Sequence, residues 1–282
     1  MYPMMKKWAA MIDVNNVCAH QCIYCIKGIR HLRPDHLFQL TVDEIRTALE
    51  TLADFPGKVG ITGGEPLNHP DIEGMFRAVR DIIPRQKAMI FTSSPKHKIY
   101  KTLIDETFGE VYINMHDDEQ REICLHQPLL LAVGDMVHDL NILNALIDQC
   151  WCDRMWSPVV SKKGAFFCDC CVGIDMMLDM EGGWPVEKGW WKRMDTSDQR
   201  DRYCHLCGMC LPYEQQPLKD ATEKVSAEMY ARMKEHRLVR MDDMAIVHGP
   251  LSLAEIGRNL KGWQPWRNRQ DKPAEGPTYY NV

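Results

Sequence analysis

The chain of 282 residues has no apolar run of about 18 residues, the length a membrane-spanning helix needs. Its first ten residues, Met1 to Ala10, carry two lysines but too short an apolar stretch for a secretory signal. There is no internal repeat and no low-complexity tract, and no excess of basic charge. Lys and Arg number 34 against 39 Asp and Glu, a net charge of −5, so no global field draws nucleic acid or anionic lipid. A local basic patch remains compatible with that balance. These absences point away from a membrane protein, a secreted scaffold and a general nucleic-acid binder. What is abundant is cysteine: twelve residues. Without a secretory signal, that number predicts a reducing, cytoplasmic setting and metal ligation rather than disulfides. The length suits one large α/β domain with a small appendage, and 45% hydrophobic residues are enough for a core.

Cys18, Cys22 and Cys25 are spaced C-x3-C-x2-C at the end of a strand-like run, Ala9 to Val14. Three thiolates on a four-iron cube leave one iron without a protein ligand, open to a small molecule. A structural zinc site would instead require a fourth ligand, for which His20, His31 and His36 are the neighbouring candidates. After a further helix and strand comes Lys58-Val59-Gly60-Ile61-Thr62-Gly63-Gly64-Glu65-Pro66. Glycines let a backbone approach a ligand closely and adopt positive φ. Glu65 is able to accept a hydrogen bond from an ammonium group.

Strand and helix patterns alternate over residues 1–149. Ala9–Val14, Lys58–Thr62, Ala88–Thr92, Glu110–Met115 and Leu129–Val133 read as strands. Thr41–Asp54, with Thr41 and Glu44 as a capping box, reads as a helix, as do Asp71–Ile83, Lys96–Phe108 and Asp135–Gln149. This alternation predicts a parallel sheet covered by helices.

The cysteine spacing, the aromatic Tyr24 before the third cysteine and the Gly63-Gly64-Glu65 segment together resemble the radical SAM family. The resemblance implies a partial (β/α)6 barrel, an incomplete TIM barrel, with ligands at the carboxyl ends of the strands. It implies a [4Fe–4S] cluster on Cys18, Cys22 and Cys25 whose open iron holds the amino and carboxylate groups of S-adenosyl-L-methionine (SAM). Gly63, Gly64 and Glu65 would bind the methionine amino group, and Tyr24 would pack near the adenine. Ser93 and Asn114, with His116, end strands where relatives place contacts to the ribose or carboxylate. An electron donor such as flavodoxin or ferredoxin would reduce the cluster, and cleavage of SAM would release a 5′-deoxyadenosyl radical that abstracts a substrate hydrogen.

From residue 150 the pattern changes, and eight cysteines fall between Cys150 and Cys210. Pro158–Val160 and Ala165–Cys168 read as a hairpin turning at Ser161-Lys162-Lys163-Gly164, and Cys204 to Cys210 supplies C-x2-C-x2-C. This field resembles the auxiliary-cluster domain, twitch or SPASM, that follows many radical SAM barrels. The resemblance implies one auxiliary [4Fe–4S] cluster on Cys150 (or Cys152), Cys168, Cys204 and Cys207. The chain departs from it in placing three residues between Gly164 and Cys168, and in the extra Cys170, Cys171 and Cys210. The competing assignment is a zinc knuckle of Cys204, Cys207 and Cys210 with His205 or Cys168. The expected division is 1–149 for the barrel, 150–218 for the auxiliary domain, and 219–282 for a helix at Thr222–Lys234 and a packing tail. The expected activity is oxidation, epimerisation or rearrangement of a small or medium substrate. A nucleic-acid base or a peptide is the alternative substrate, and a non-enzymatic iron–sulfur or zinc protein is the alternative of another class.

Overall fold

Short apolar strands buried on both faces alternate with amphipathic helices from the N-terminus onward, in a computed structural model that describes residues 2–113, 125–155, 157–213, 216–217, 222–262 and 278–281. The first four strands are β1 (Ala9–Asp13), β2 (Lys58–Thr62), β3 (Ala88–Thr92) and β4 (Glu110–Ile113). All five residues of β1 are buried, as a parallel strand covered on both faces requires. The helices between them are α1 (Val42–Leu52), α2 (Ile72–Ile82) and α3 (Lys101–Thr107). At the start of α1 the Glu44 amide donates to Thr41 Oγ1 at 3.2 Å, and the Thr41 amide donates to Glu44 Oε2 at 2.7 Å. This is the capping box expected from the sequence, and it fixes where α1 leaves the preceding loop.

The chain continues through β5 (Leu125–His126), α4 (Val133–Met136), α5 (Leu140–Asp148) and α6 (Trp151–Met155). A hairpin of β6 (Val159–Ser161) and β7 (Gly164–Phe166) leads into α7 (Asp169–Leu178) and α8 (Ser197–Tyr203). The remaining elements are β8 (Gln216–Pro217), β9 (Lys224–Ser226), α9 (Ala227–Glu235), β10 (Ala245–Val247), α10 (Leu253–Gly262) and β11 (Thr278–Asn281).

Seven strands form one open sheet in the order β11-β4-β3-β2-β1-β6-β7. Every neighbouring pair is parallel except the β6–β7 hairpin. The result is an α/β fold with a mostly parallel central sheet, consistent with a partial barrel. Asp13 is in register with Thr62, so the cysteine loop and the glycine-rich turn leave the sheet side by side.

Four expectations differ from the structure. The helix expected at Thr222–Lys234 is strand β9 followed by α9, which begins only at Ala227 after the extended Ser226. Leu129–Val133 is not a strand: the Leu129 and Leu130 carbonyls accept from the amides of Gly208 (2.7 Å) and Ser226 (3.1 Å), and Val133 begins α4. A continuous apolar run is compatible with any buried backbone, and here neighbouring loops take its hydrogen bonds. The place beside β4 is filled by β11, with Thr278 opposite Glu110. The helix expected over Lys96–Phe108 is a 3₁₀ turn at Pro95–Lys98 followed by α3. The helix expected over Asp135–Gln149 is split, because Val137 is extended and Asp139 caps α5 through the amides of Asn141 (2.9 Å) and Ile142 (3.1 Å).

The hairpin joins the main sheet, with Met11 opposite Val159 and Ile12 opposite Val160. Helix α7, which follows it, is buried at all ten positions. It lies so close to the end of the first cysteine loop that a Cβ on Gly173 would sit 2.3 Å from the Ile26 carbonyl oxygen. Gly173→Ala is therefore expected to push α7 from that loop and cost about 1–3 kcal/mol in denaturant unfolding. An unchanged unfolding midpoint would contradict this packing.

Candidate functional site

The ends of β1 and β2 are locked together by backbone contact. Gly63 has φ of +153°, and a Cβ there would lie 2.5 Å from the Asn15 carbonyl oxygen. A Cβ on Gly64 would meet the backbone of Asn16 and Val17 at 2.8 Å. Only glycine permits both approaches. Asn15 seals the contact: its Nδ2 donates to the Glu65 carbonyl at 3.0 Å, and its Oδ1 accepts from the Glu65 amide at 3.2 Å. The Gly64 amide donates to the Asn15 carbonyl at 2.8 Å. Asn15 was not singled out from the sequence, where it reads as one polar residue among several.

Glu65 is 2% exposed and binds across to the end of β3. Its Oε1 accepts from the Leu67 amide (3.0 Å) and Thr92 Oγ1 (2.6 Å), and its Oε2 from the Ser93 amide (2.8 Å) and Ser93 Oγ (3.1 Å). A carboxylate offers about four acceptor sites, and all four are engaged. A ligand ammonium reaching this side chain would have to displace one of these donors. The structure thus brings Gly63, Gly64, Glu65 and Ser93 together. Asn114, His116 and Cys124 lie outside the described residues.

The cysteine loop leaves this junction. Burial pushes the Cys18 thiol upward, and the nearby Glu65 carboxylate adds to the shift. The Cys25 thiol is also raised by burial, against amide hydrogen bonds from Ile29 and Lys27. Metal binding opposes that shift, since ligation requires the thiolate. Asn16 closes the base of the loop, donating to the His36 carbonyl at 2.8 Å and accepting from the Phe38 amide at 2.8 Å.

A second hold on the loop comes from almost 200 residues away. Tyr24 has no exposed surface; its hydroxyl donates to the Thr222 carbonyl at 3.0 Å and accepts from the Lys224 amide at 3.2 Å. Glu223 takes the Tyr24 amide on Oε1 at 2.8 Å, while its Oε2 lies 2.8 Å from His31 Nε2 and 3.4 Å from Arg30. His31 Nδ1 lies 3.0 Å from the Val239 carbonyl, so both its ring nitrogens are engaged within the protein. His36 faces Asp179 at 3.3 Å, and His20 Nε2 is 3.2 Å from the Ser93 carbonyl. Of the histidines considered as a fourth zinc ligand, His31 has no ring nitrogen left for the task.

In the second field, Cys150, Cys152, Cys168, Cys170, Cys171, Cys204, Cys207 and Cys210 all line one cavity, with Arg200 and Tyr203 in its wall. The thiols touch: Cys170 is hydrogen-bonded with Cys152, Cys168 and Cys207, and Cys168 also with Cys171. Burial pushes the Cys152, Cys171, Cys204 and Cys210 thiols well above the ordinary cysteine value. Four of these cysteines are the expected set Cys150, Cys168, Cys204 and Cys207, and the other four share their cavity. His205 is exposed, with Nδ1 at 3.0 Å from the Asp201 carbonyl, and does not line the cavity. Among the described residues no three His, Cys, Asp or Glu side chains converge as a single-ion site. A tetrahedral zinc would draw its sulfurs to about 3.8 Å apart, given Zn–S bonds of about 2.3 Å.

Residues 12–130 match the family model described as the radical SAM superfamily. No curated protein matches the chain. Among solved structures, a crystal structure of BtrN in complex with AdoMet and 2-DOIA is 17% identical, with a TM-score of 0.47, covering 76% of this chain and 92% of BtrN. An open conformation of selenomethionine BtrN is 17% identical, with a TM-score of 0.42 and coverage of 76% and 97%. No helix among the described residues is long and apolar enough to cross a membrane.

The Asn15 contact generates a direct test. Asn15→Ala strips a buried amide and a buried carbonyl of Glu65 of their partners, an expected loss of about 1–3 kcal/mol in chemical denaturation of the metal-free protein. A loss of less than about 0.5 kcal/mol would show that the turn is held by other means.

Proposed function

We propose that the chain is a radical SAM enzyme carrying one auxiliary iron–sulfur cluster. The observation that carries the reading is the backbone junction of Gly63, Gly64 and Glu65 with residues 15–17, which lead directly into Cys18. A plain metal-binding loop does not require that junction, which sets a close-approach turn at the root of the loop carrying the three cysteines. Cys18, Cys22 and Cys25 would hold the first [4Fe–4S] cluster, and Gly63 and Gly64 would bring main-chain groups to SAM. Bound SAM and its reduced cluster together supply a 5′-deoxyadenosyl radical, which abstracts hydrogen from an unactivated C–H bond.

The residues of the chain do the remaining work. Ser93, at the end of β3, would face SAM from the next strand, with Asn114 a further contact. Glu65 holds the ends of β2 and β3 at a fixed separation, and its filled acceptor sites make it a bracket as much as a ligand. Tyr24, clamped by residues 222–224, orients the loop between Cys22 and Cys25. Its place beside the adenine would come from that anchoring rather than from a free ring.

The eight-thiol cavity suits a multi-iron group in its donor chemistry, since sulfur ligands are supplied in excess of the four that such a cluster takes. Cys150 or Cys152, with Cys168, Cys204 and Cys207, would be those four. A substrate of small or medium size, an electron donor of the flavodoxin or ferredoxin type and a reducing cytoplasmic setting complete the proposal. Oxidation is the outcome if the auxiliary cluster accepts an electron, and epimerisation or rearrangement if it does not.

Iron and sulfide analysis on anaerobically reconstituted protein tests the two-cluster reading. About eight irons are expected in the wild type and about four after Cys204→Ser with Cys207→Ser. Addition of SAM should change the electron paramagnetic resonance (EPR) signal of the reduced protein in both forms. Zinc in place of iron, or a signal indifferent to SAM, would contradict the proposal.

A further inference from the structure

The two cysteine fields are joined by a buried ion triad. Lys27 stands two residues beyond Cys25 and is 6% exposed. Its ammonium lies 2.5 Å from Asp13 Oδ2 and also contacts Asp169 Oδ1. Asp13 is the last residue of β1, at the root of the first cysteine loop. Asp169 is the first residue of α7, between Cys168 and Cys170, both of which line the second cavity. The two carboxylates are themselves buried, at 2% and 3% exposure. Around them α7 is pressed onto the loop, its Gly173 against Ile26 and Lys27.

Such an arrangement is a poor device for stability alone. Two carboxylates share one ammonium away from water, and Asp13 Oδ1 has no hydrogen-bond partner. Desolvation of buried charges commonly offsets their attraction, so apolar residues of similar volume would stabilise the same space as well or better. The triad does have a consequence for charge. Lys27 is carried on the first cysteine loop two residues beyond Cys25, and its ammonium is held buried there by both carboxylates. Charge and hydrogen bonds at ligand sulfurs are among the factors that set the potential of an iron–sulfur cluster. In a low-dielectric interior a nearby unit charge acts strongly.

We propose that Lys27 sets the reduction potential of the cluster at Cys18, Cys22 and Cys25, and that Asp169 couples that potential to the second cysteine site. The inference rests on the radical SAM reading above. Reduction adds one electron to an already anionic group: the buried ammonium favours the reduced form, and the two carboxylates oppose it. Asp169 is carried on the same short segment as Cys168, Cys170 and Cys171. A rearrangement of those thiols on cluster binding therefore moves a charge that faces the first site. Lys27 is a positioning residue, since its ammonium is buried between Asp13 and Asp169.

The test is an EPR-monitored redox titration of the full chain after anaerobic reconstitution. Lys27→Met should make the midpoint potential of the first cluster more negative, and Asp169→Asn should make it more positive, with iron content unchanged. Unmoved potentials, or shifts of the same sign in both variants, would overturn the proposal. If Lys27→Met fails to fold, the triple variant Asp13→Asn, Lys27→Met, Asp169→Asn removes every charge of the triad at similar volume. One ammonium and two carboxylates give the triad a net negative charge that the triple variant removes, the same change in charge as Asp169→Asn alone, so a potential moved positive in both variants supports the charge assignment. A triple variant that stays at the wild-type potential or moves negative would refute it. The coupling is read from a double-mutant cycle. Emptying the second cavity with Cys204→Ser and Cys207→Ser should shift the first potential in the wild type, and shift it less when Asp169 is Asn. Equal shifts in both backgrounds would refute the coupling. Wild-type protein that takes up no iron would remove the underlying radical SAM reading itself, an outcome distinct from all of these.

Discussion

Everything at the mouth of this sheet depends on one close approach of two backbones. Gly63 and Gly64 pass within van der Waals contact of residues 15–17, and no side chain fits between them. Asn15 then pairs with both main-chain groups of Glu65, as a strand partner would. That contact extends the β1–β2 pairing past the end of the sheet, where parallel strands normally diverge. It sets the turn at the root of the loop that carries Cys18, Cys22 and Cys25, and it leaves Glu65 directed toward β3, where Thr92 and Ser93 fill its remaining acceptor sites.

The loop that starts there is held along its length by different physical means. Asn16 ties its base to residues 36–38 with two side-chain hydrogen bonds and one from its amide. Glu223 holds its middle with a charge shared among the Tyr24 amide, His31 and Arg30. Lys27 and the packing of Gly173 hold its end against α7. Polar groups that would be costly to bury unpaired are here paired across long sequence distances. A metal cluster on this loop would thus bind a preorganised frame, with the second cysteine cavity built onto the opposite end of the same frame.

The local parts of this architecture were legible in the sequence. Lys58–Thr62 and Ala88–Thr92 carry β-branched and apolar residues between turn signals, and the structure has strands over those residues. Thr41 and Glu44 announce their capping box within four residues. The hairpin was legible too, but not its place: nothing in Val159–Ser161 says that it pairs with β1, a contact some 150 residues distant. The same limit hid β11 beside β4 and turned the apolar Leu129–Val133 into a false strand. At the site, motif spacing indicated Cys18, Cys22, Cys25 and the glycine turn. It did not indicate Asn15, Lys27 or Glu223, because an isolated Asn, Lys or Glu has no pattern until its partner is known. The position of Tyr24 before Cys25 is legible in the sequence, and its burial against residues 222–224 is not.

Formation of 5′-deoxyadenosine is the most direct measure of the account. Reconstituted protein, reduced with dithionite and given SAM under anaerobic conditions, should release it, and Cys22→Ala should abolish the release. Intact SAM after incubation with protein shown to hold reduced iron–sulfur clusters would contradict the central claim.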